Sequence, residues 1–566
     1  MLYHRLMLLG MGLLSGFGVF AQTEFGRPGD FSVEVIRRME IKSGQTNPQY
    51  FTDIQPFDRG RTADFIRHYD SLGLWQSPVD RFNRHFLIRE NLPYTKDLGE
   101  DSLIESQKPI LTYFYQDPAN FFSVDEEDVH FQVNPILNLQ GGREFGLDRT
   151  TYINTRGVEV RGSINDKVGF YSLVTENQIV AADYVQQRRR DYGFFPQEGF
   201  GKGIEGGGYD FFDVRGYITF SATKNIQMSF GKDRNFLGNG ERSLLLGNFH
   251  EDYLQLRIQT KVWKFQYQNI FAEMIWSDRV NRQNYTNLPY AKKYVSLHYL
   301  SINLLKNLKV GLFEGVIYHD NNNAGRSVEL GYLNPIIFYR AIEHNLGDND
   351  NMIIGGNIYY LPVKKLALHG QFIFSEFKIS ELRAGDGWFG NQWGLQAGAR
   401  YIDAFGLRNV DLLAEVNLMR PYVYGHTNPG NAYNHFNQAL AHPYGANFRE
   451  LIGKVNAQLW PKLNLEAALI YYETGLDSDS RTNWGADIRK DPSSPEERYG
   501  NTIAQGEFTR IGLAYARASY QIRHQMFLEA TAQHRIAGSS LEAYRYDHLW
   551  LQLGLRWNIG RREYWF

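Results

Sequence analysis

From Val129 onward, hydrophobic and polar residues alternate with a period of two. Leu254, Leu256 and Ile258 alternate with Gln255, Arg257 and Gln259, and Trp263, Phe265 and Tyr267 with Lys264, Gln266 and Gln268. Val410, Leu412, Ala414, Val416 and Leu418 face away from Asp411, Glu415 and Asn417. Near the end, Leu549, Leu551, Leu553, Leu555 and Trp557 oppose Gln552 and Arg556. Successive side chains of an extended chain point to opposite faces, so each run predicts a strand with one apolar and one polar face. A soluble sandwich with one wet face shows the same alternation. The runs are about nine to eleven residues long, the length of a tilted bilayer-crossing strand. Beyond residue 21 no stretch approaches the ~18 apolar residues of a spanning helix. A chain that enters lipid without such a helix must close into a barrel, because every backbone N–H and C=O has to be paired there. The pattern therefore predicts an all-β fold, an antiparallel transmembrane β-barrel. At about 24 residues per strand and its connections, the run from Val129 to Phe566 holds roughly 18 strands. The chain ends in Tyr564-Trp565-Phe566, and a terminal aromatic of this kind predicts that the closing strand runs to the terminus.

The first 125 residues follow other rules. Arg5 precedes an apolar, Gly-rich run from Leu6 to Phe20, and Val19-Phe20-Ala21 supplies a short-residue cleavage site before Gln22. Residues 1–21 read as a signal peptide. In residues 22–125, Phe31, Val35, Ile36 and Met39 recur at helical spacing, as do Phe65, Ile66, Tyr69 and Leu72 before Gly73. This predicts a small helical periplasmic segment, followed by the barrel over 126–566.

Polar stretches rich in Gly, Pro and Asn predict long loops at Asp183–Gly208, Asn281–Ala291, Ala384–Gln392, Thr427–Gly445 and Ser478–Gly506. Loops of this length are expected outside the cell.

Composition narrows the function. The 566 residues carry a net charge of -2, which argues against nucleic acid as a partner, since phosphate binding needs a basic excess. With no Cys there is no disulfide framework and no thiolate nucleophile or metal ligand. Aromatics make up 15% of the chain, enough for the girdles of a barrel or for a surface that stacks on sugars. No Gly-x-Ser-x-Gly elbow and no His-Glu-x-x-His occurs, so a binding protein is expected rather than an enzyme, with no cofactor and no metal.

The segment Gly231-Lys232-Asp233-Arg234-Asn235-Phe236-Leu237-Gly238-Asn239-Gly240-Glu241-Arg242-Ser243-Leu244-Leu245-Leu246 resembles the central motif of the capsule-assembly Wzi family. Leu237 departs from it, where the family often has Trp. Three later segments, Tyr332–Phe338, Asn434–Gln438 and Leu440–Phe448, resemble the gliding-associated, RemB-like relatives of that family. The resemblance covers about residues 129–460. It implies an 18-stranded outer-membrane barrel behind a periplasmic helical segment, and a lectin-like role in holding or assembling capsular or other surface polysaccharide. The implied partners are outer-membrane lipid, surface polysaccharide and another envelope protein. A transport barrel, or one serving a secretion or gliding machine, is the alternative.

Three groups are candidate polysaccharide-binding or lumen-lining sites. Asp233, Arg234, Glu241 and Arg242 form a dense charge group beside glycines, suited to sugar hydroxyls and acidic sugars or to a salt-bridge network across the lumen. Arg340, Glu343, His344, Asp348 and Asp350 follow Asn334-Pro335 and suit an inward plug. Asp348-Asn349-Asp350 lacks the position-12 Glu and central Gly of an EF-hand. His435, Asn437, His442 and Tyr444 sit in a loop with amides and further tyrosines, suited to sugar faces or to packing of the loop on itself.

Overall fold

The computed structural model describes residues 24–566 except 28, 49, 100–102, 104, 107–112, 127, 166, 278–289, 320–328 and 337–349. The proposed signal peptide lies outside the described residues.

Eighteen strands form the wall: β1 Val129–Phe145, β2 Arg149–Ile164, β3 Val168–Val180, β4 Gly208–Thr223, β5 Ile226–Asp233, β6 Tyr253–Val262, β7 Phe265–Trp276, β8 Ala291–Leu305, β9 Leu308–Tyr318, β10 Asn351–Val363, β11 Leu366–Glu376, β12 Gln392–Tyr401, β13 Val410–Met419, β14 Phe448–Trp460, β15 Leu463–Leu476, β16 Glu507–Arg523, β17 Met526–Ser539 and β18 Tyr546–Trp557. Each pairs antiparallel with its neighbours along the chain, and β18 closes on β1 from Leu549↔Phe145 to Trp557↔Leu137. Closure leaves no unpaired edge, as a lipid environment demands. The strands run from 8 to 17 residues. Those longer than the expected nine to eleven residues extend past the ~25 Å apolar band into the rims.

The alternation sorts inside from outside as the pattern predicts. On β18, Leu549, Leu551 and Leu553 are exposed, Leu553 by 70%, whereas Gln552 and Arg556 are buried. On β6, Leu254 is exposed, whereas Gln255, Arg257 and Gln259 are buried in the interior. An exposed apolar belt around a closed wall is costly in water and stable in lipid. Trp263 falls out of register with the run assigned to it. It sits in the two-residue β6–β7 turn with φ +52°, and the following strand begins at Phe265.

Connections at the two ends differ. One end carries the short turns β2–β3, β4–β5, β6–β7, β8–β9, β10–β11, β14–β15 and β16–β17, and the long loops lie at the other. Helices α1 Phe31–Ser43, α2 Thr62–Ser71 and α3 Pro78–Glu90 lie across the short-turn end. Val35, Ile36 and Met39 of α1 and Phe65, Ile66 and Tyr69 of α2 are buried together with Trp75, Leu87 and Ile88 in one core, against which Phe31 packs half-buried. Leu72 instead lies exposed, just past α2. The third helix begins at Pro78, where the sequence pattern suggested only punctuation. Proline suits the first helical position, and Ser77 and Asp80 form a reciprocal capping box ahead of it.

Backbone bonds fix this helical segment to the mouth. Lys365 N–H donates to the Ile41 carbonyl at 2.9 Å, and Thr46 N–H to that of Lys306 at 2.8 Å. Residues Ile54–Gln55 pair antiparallel with Phe236–Leu237, so the segment also forms a small sheet with the β5–β6 connection inside the barrel.

The final strand ends at Trp557 rather than at the terminus. Residues 558–566 turn back: Asn558 N–H donates to the Gln525 carbonyl at 3.0 Å, and Tyr564, Trp565 and Phe566 are all buried. The terminal aromatics therefore do not end the closing strand. They pack inside, Phe566 against Tyr184 and Phe249 and Trp565 against Tyr515, where burial of three large rings outweighs a continued ladder.

Candidate functional site

Three stretches of chain meet in the barrel interior: the β5–β6 connection (234–252), the β13–β14 connection (420–447) and the tail (558–566). The second of these was expected to lie outside the cell over Thr427–Gly445. Instead, Tyr424, Tyr433, Ala439, Leu440 and Ala441 are buried with Leu237, Leu244, Leu245 and Leu246 in one apolar core. The apolar content of these connections explains the inward fold, since each would expose several large side chains if it projected into water.

The motif in 231–246 is a structural turn. Ser243 Oγ accepts from the N–H groups of Leu245 at 3.1 Å and Leu246 at 3.2 Å. Gly238 has φ +141°, and a Cβ there would stand 2.3 Å from Gln371 Nε2. A Cβ on Gly240 would meet Glu415 Oε2 at 2.5 Å. The Gly-x-Gly spacing thus lets the backbone lie against the wall, where Glu241 and Arg242 N–H groups donate to Glu415 at 2.7 and 3.1 Å. Leu237, at the position of the family's frequent Trp, is fully buried.

The first candidate group forms ion pairs between elements. Asp233 stands 3.7 Å from Arg215, and Arg234 bonds Asp252. The Glu241 carboxylate meets Lys454 at 3.1 Å. Arg242 reaches Glu450 at 3.1 Å and also donates to the Trp565 carbonyl, tying the turn to both wall and tail. Burial alone would raise the Asp252 carboxyl, but Arg215 and Arg234 hold it well below the usual carboxylate range. Glu251 responds the other way: burial, with Asp213 and Asp252 nearby, pushes it up to about 7 against the pull of Lys232.

The third group is buried apart from Tyr444, which is half-buried. His435 Nδ1 accepts from Ile275 N–H at 3.0 Å, Asn437 Nδ2 donates to the Tyr192 carbonyl at 3.0 Å, and His442 Nε2 lies 2.8 Å from Glu450. Tyr444 stacks on Tyr472 with centroids 3.5 Å apart. These rings pack on protein, His435 on Phe436, His442 on Phe448 and Tyr444 on Tyr472. Burial lowers the pKa of both His435 and His442. Of the second group, Asp350 accepts from Tyr332 OH at 2.8 Å, whereas Arg340, Glu343, His344 and Asp348, with the plug expected there, lie outside the described residues.

The three stretches and α1 leave a central cavity of about 300 Å3. Arg234, Glu241 and Arg242 line it, together with residues that sequence reasoning missed: Glu34, Arg37, Arg400, Lys454, Arg517 and Trp565. The signal for Glu34 and Arg37 was available, since both lie off the apolar stripe of α1, but nothing in the spacing shows that this face looks into a barrel. Among the described residues no group of three or more His, Asp or Glu has the geometry of a metal site.

No family model matches the sequence, and no curated protein matches it. Solved structures are similar in fold. Wzi of Escherichia coli, described as an outer-membrane protein involved in group 1 capsule assembly and a carbohydrate-binding β-barrel, superposes with a TM-score of 0.55 at 13% identity. That match covers 96% of this chain and 100% of Wzi. OprD of Pseudomonas aeruginosa gives a TM-score of 0.43 at 11% identity over 75% of this chain and 94% of its own.

Proposed function

We propose that this chain is an outer-membrane barrel that binds surface polysaccharide and helps to hold or assemble it at the cell surface, acting by binding and without a chemical step. The observation that carries this reading is the filled lumen. An apolar core of inward-folded connections, a returning tail and a helical segment across the short-turn end occupy the space a porin leaves for solute. Short turns face the periplasm in barrels of this kind, and on this reading the helices lie on the periplasmic side and the long connections start from the outer side. Similarity of fold to a carbohydrate-binding barrel along nearly the whole chain supports the reading, as does the motif in 231–246. Kinship with the gliding-associated relatives and contact with a further envelope protein belong to the same proposal.

The test is a deletion strain and the purified barrel. The deletion is expected to shed surface glycan into the medium, and the protein to retain that glycan on an array. Full glycan retention by the deletion strain together with a blank array would remove the reading. Steady large openings in a planar bilayer would favour transport.

A further inference from the structure

The charges around the central cavity balance in number once Glu159, Asp252, Glu450 and Glu529, just behind its lining, are included, but they are not evenly paired. Eleven cationic and seven anionic side chains line it. Ten of the cations stand within 4.0 Å of a carboxylate, on the lining or just behind it. Arg37, on the inner face of α1, is the exception among the described residues. It is 8% exposed. Its Nη2 donates to the Gly238 carbonyl at 3.1 Å, its guanidinium lies 5.6 Å from the Phe236 ring centroid, and its Nε bonds nothing. The nearby charge of Arg400 is itself matched by Glu34 at 3.0 Å. Trp565, on the cavity wall, is 3% exposed, and its indole N–H also lacks an acceptor. A buried guanidinium with no carboxylate within 4.0 Å, only the more distant charges of Glu34 and Glu241, and a buried indole N–H without an acceptor each require an explanation.

We propose that this cavity is a site for an acidic sugar, with Arg37 taking the carboxylate and Trp565 donating to a hydroxyl. The inference rests on the polysaccharide reading and names its substrate class. The volume is at the small end of ligand sites, roughly 300–1,000 Å3. It equals about ten waters at about 30 Å3 each, or roughly one or two sugar rings. A carboxylate beside Arg37 completes the one unmatched cation with a charge-assisted bond. Glu34, Glu241 and Asp411 on the same lining accept from hydroxyls, while Arg400, Lys454 and Arg38 paired to them donate, which suits the mixed hydrogen bonding of a sugar ring. A neutral sugar uses the second set of groups but leaves Arg37 as it is.

The experiment is calorimetry on the full-length protein in detergent, with a glucuronate-containing tetrasaccharide and a neutral glucose tetrasaccharide as probes. The acidic probe is expected to bind saturably and more tightly than the neutral one. Arg37→Met is expected to weaken the acidic probe about tenfold or more, the weight of a charged hydrogen bond, and the neutral probe by less than about twofold. Arg37→Lys, which keeps the charge, is expected to recover part of the loss, and Trp565→Phe to weaken both probes. Strand content by circular dichroism and heat-modifiable gel mobility check that each variant folds. Equal binding of the two probes, an Arg37→Met variant that binds the acidic probe like wild type, or ordered water only, with no saturable binding, would overturn the assignment. If wild type and Arg37→Met retain surface polysaccharide equally, the polysaccharide reading stands and this site falls. If neither retains any, both fall.

Discussion

His524, in the β16–β17 turn, lies 2.9 Å from the carboxylate of Glu90 at the end of α3. The same carboxylate takes Arg59 at 2.9 Å, Arg161 of β2 at 3.1 Å and Gln525 at 3.0 Å. One buried acid thus joins the helical segment to two separate parts of the wall. Replacing it takes the nearer carboxylate from two buried guanidinium groups, leaving Arg59 with Glu24 at 3.2 Å and Arg161 with Glu159 at 3.9 Å, and removing one partner from such a network costs about 3–5 kcal/mol. Glu90→Ala is expected to undock the helices and open residues 31–90 to protease added from the short-turn side. Digestion no faster than wild type would contradict this.

Acid should release the same contact. Burial alone would raise Glu90, but Arg59, Arg161 and His524 hold it well below the usual range. Asp80, facing Lys42 and Arg38, is likewise lowered against burial. A carboxylate depressed in the folded state stabilises above its unfolded pKa of about 4 and loses that contribution as pH falls through the folded value. Protease access to the helices is expected to be flat from pH 8 to 5 and to rise below about pH 4.

The outer wall makes a depth-dependent prediction. Leu553 is exposed near the middle of β18, and its neighbour Gln552 faces inward. Leu553→Arg is expected to cost about 2–4 kcal/mol of folding stability in vesicles, the penalty for an Arg at the bilayer midplane. A change below about 1 kcal/mol would place that face away from lipid.

In the interior, Leu245→Ala in the β5–β6 connection removes a fully buried side chain and is expected to cost about 2–5 kcal/mol, read as the shift of the urea midpoint at constant slope. The intact chain is expected to be nearly silent in planar bilayers. A variant lacking 558–566 is expected to show openings, because the tail fills part of the lumen and is held by Arg242 and Tyr184.

The wall was legible in the sequence because strand periodicity is a local property. Leu254 against Gln255, or Leu553 against Gln552, declares its face without knowledge of any partner. The helices of residues 31–43 and 62–71 were legible for the same reason, at the other period. The lumen was not. Thr427–Gly445 is rich in Gly, Asn and Tyr and reads as an exposed loop, and only the fold shows that Tyr424 and Tyr433 donate to the Leu244 and Leu245 carbonyls at 2.6 and 2.8 Å. Tyr564-Trp565-Phe566 reads as a strand end, because nothing in three aromatics distinguishes a ladder from a plug. Arg234 and Arg242 were visible as a charge group, but their partners Asp252 and Glu450 lie 18 and 208 residues further on. Arg37 reads as one more charge on the polar face of its helix, because what sets it apart is the lack of a close carboxylate, which no spacing rule reveals.

The most direct test of a barrel that holds glycan is surface plasmon resonance, with the full-length protein immobilised and surface polysaccharide extracted from the source cells in the flow. The account predicts saturable retention that survives washing and is competed by short fragments of the same glycan. Passage of the polysaccharide without retention, at a concentration where the folded state of the immobilised barrel is verified, would contradict it.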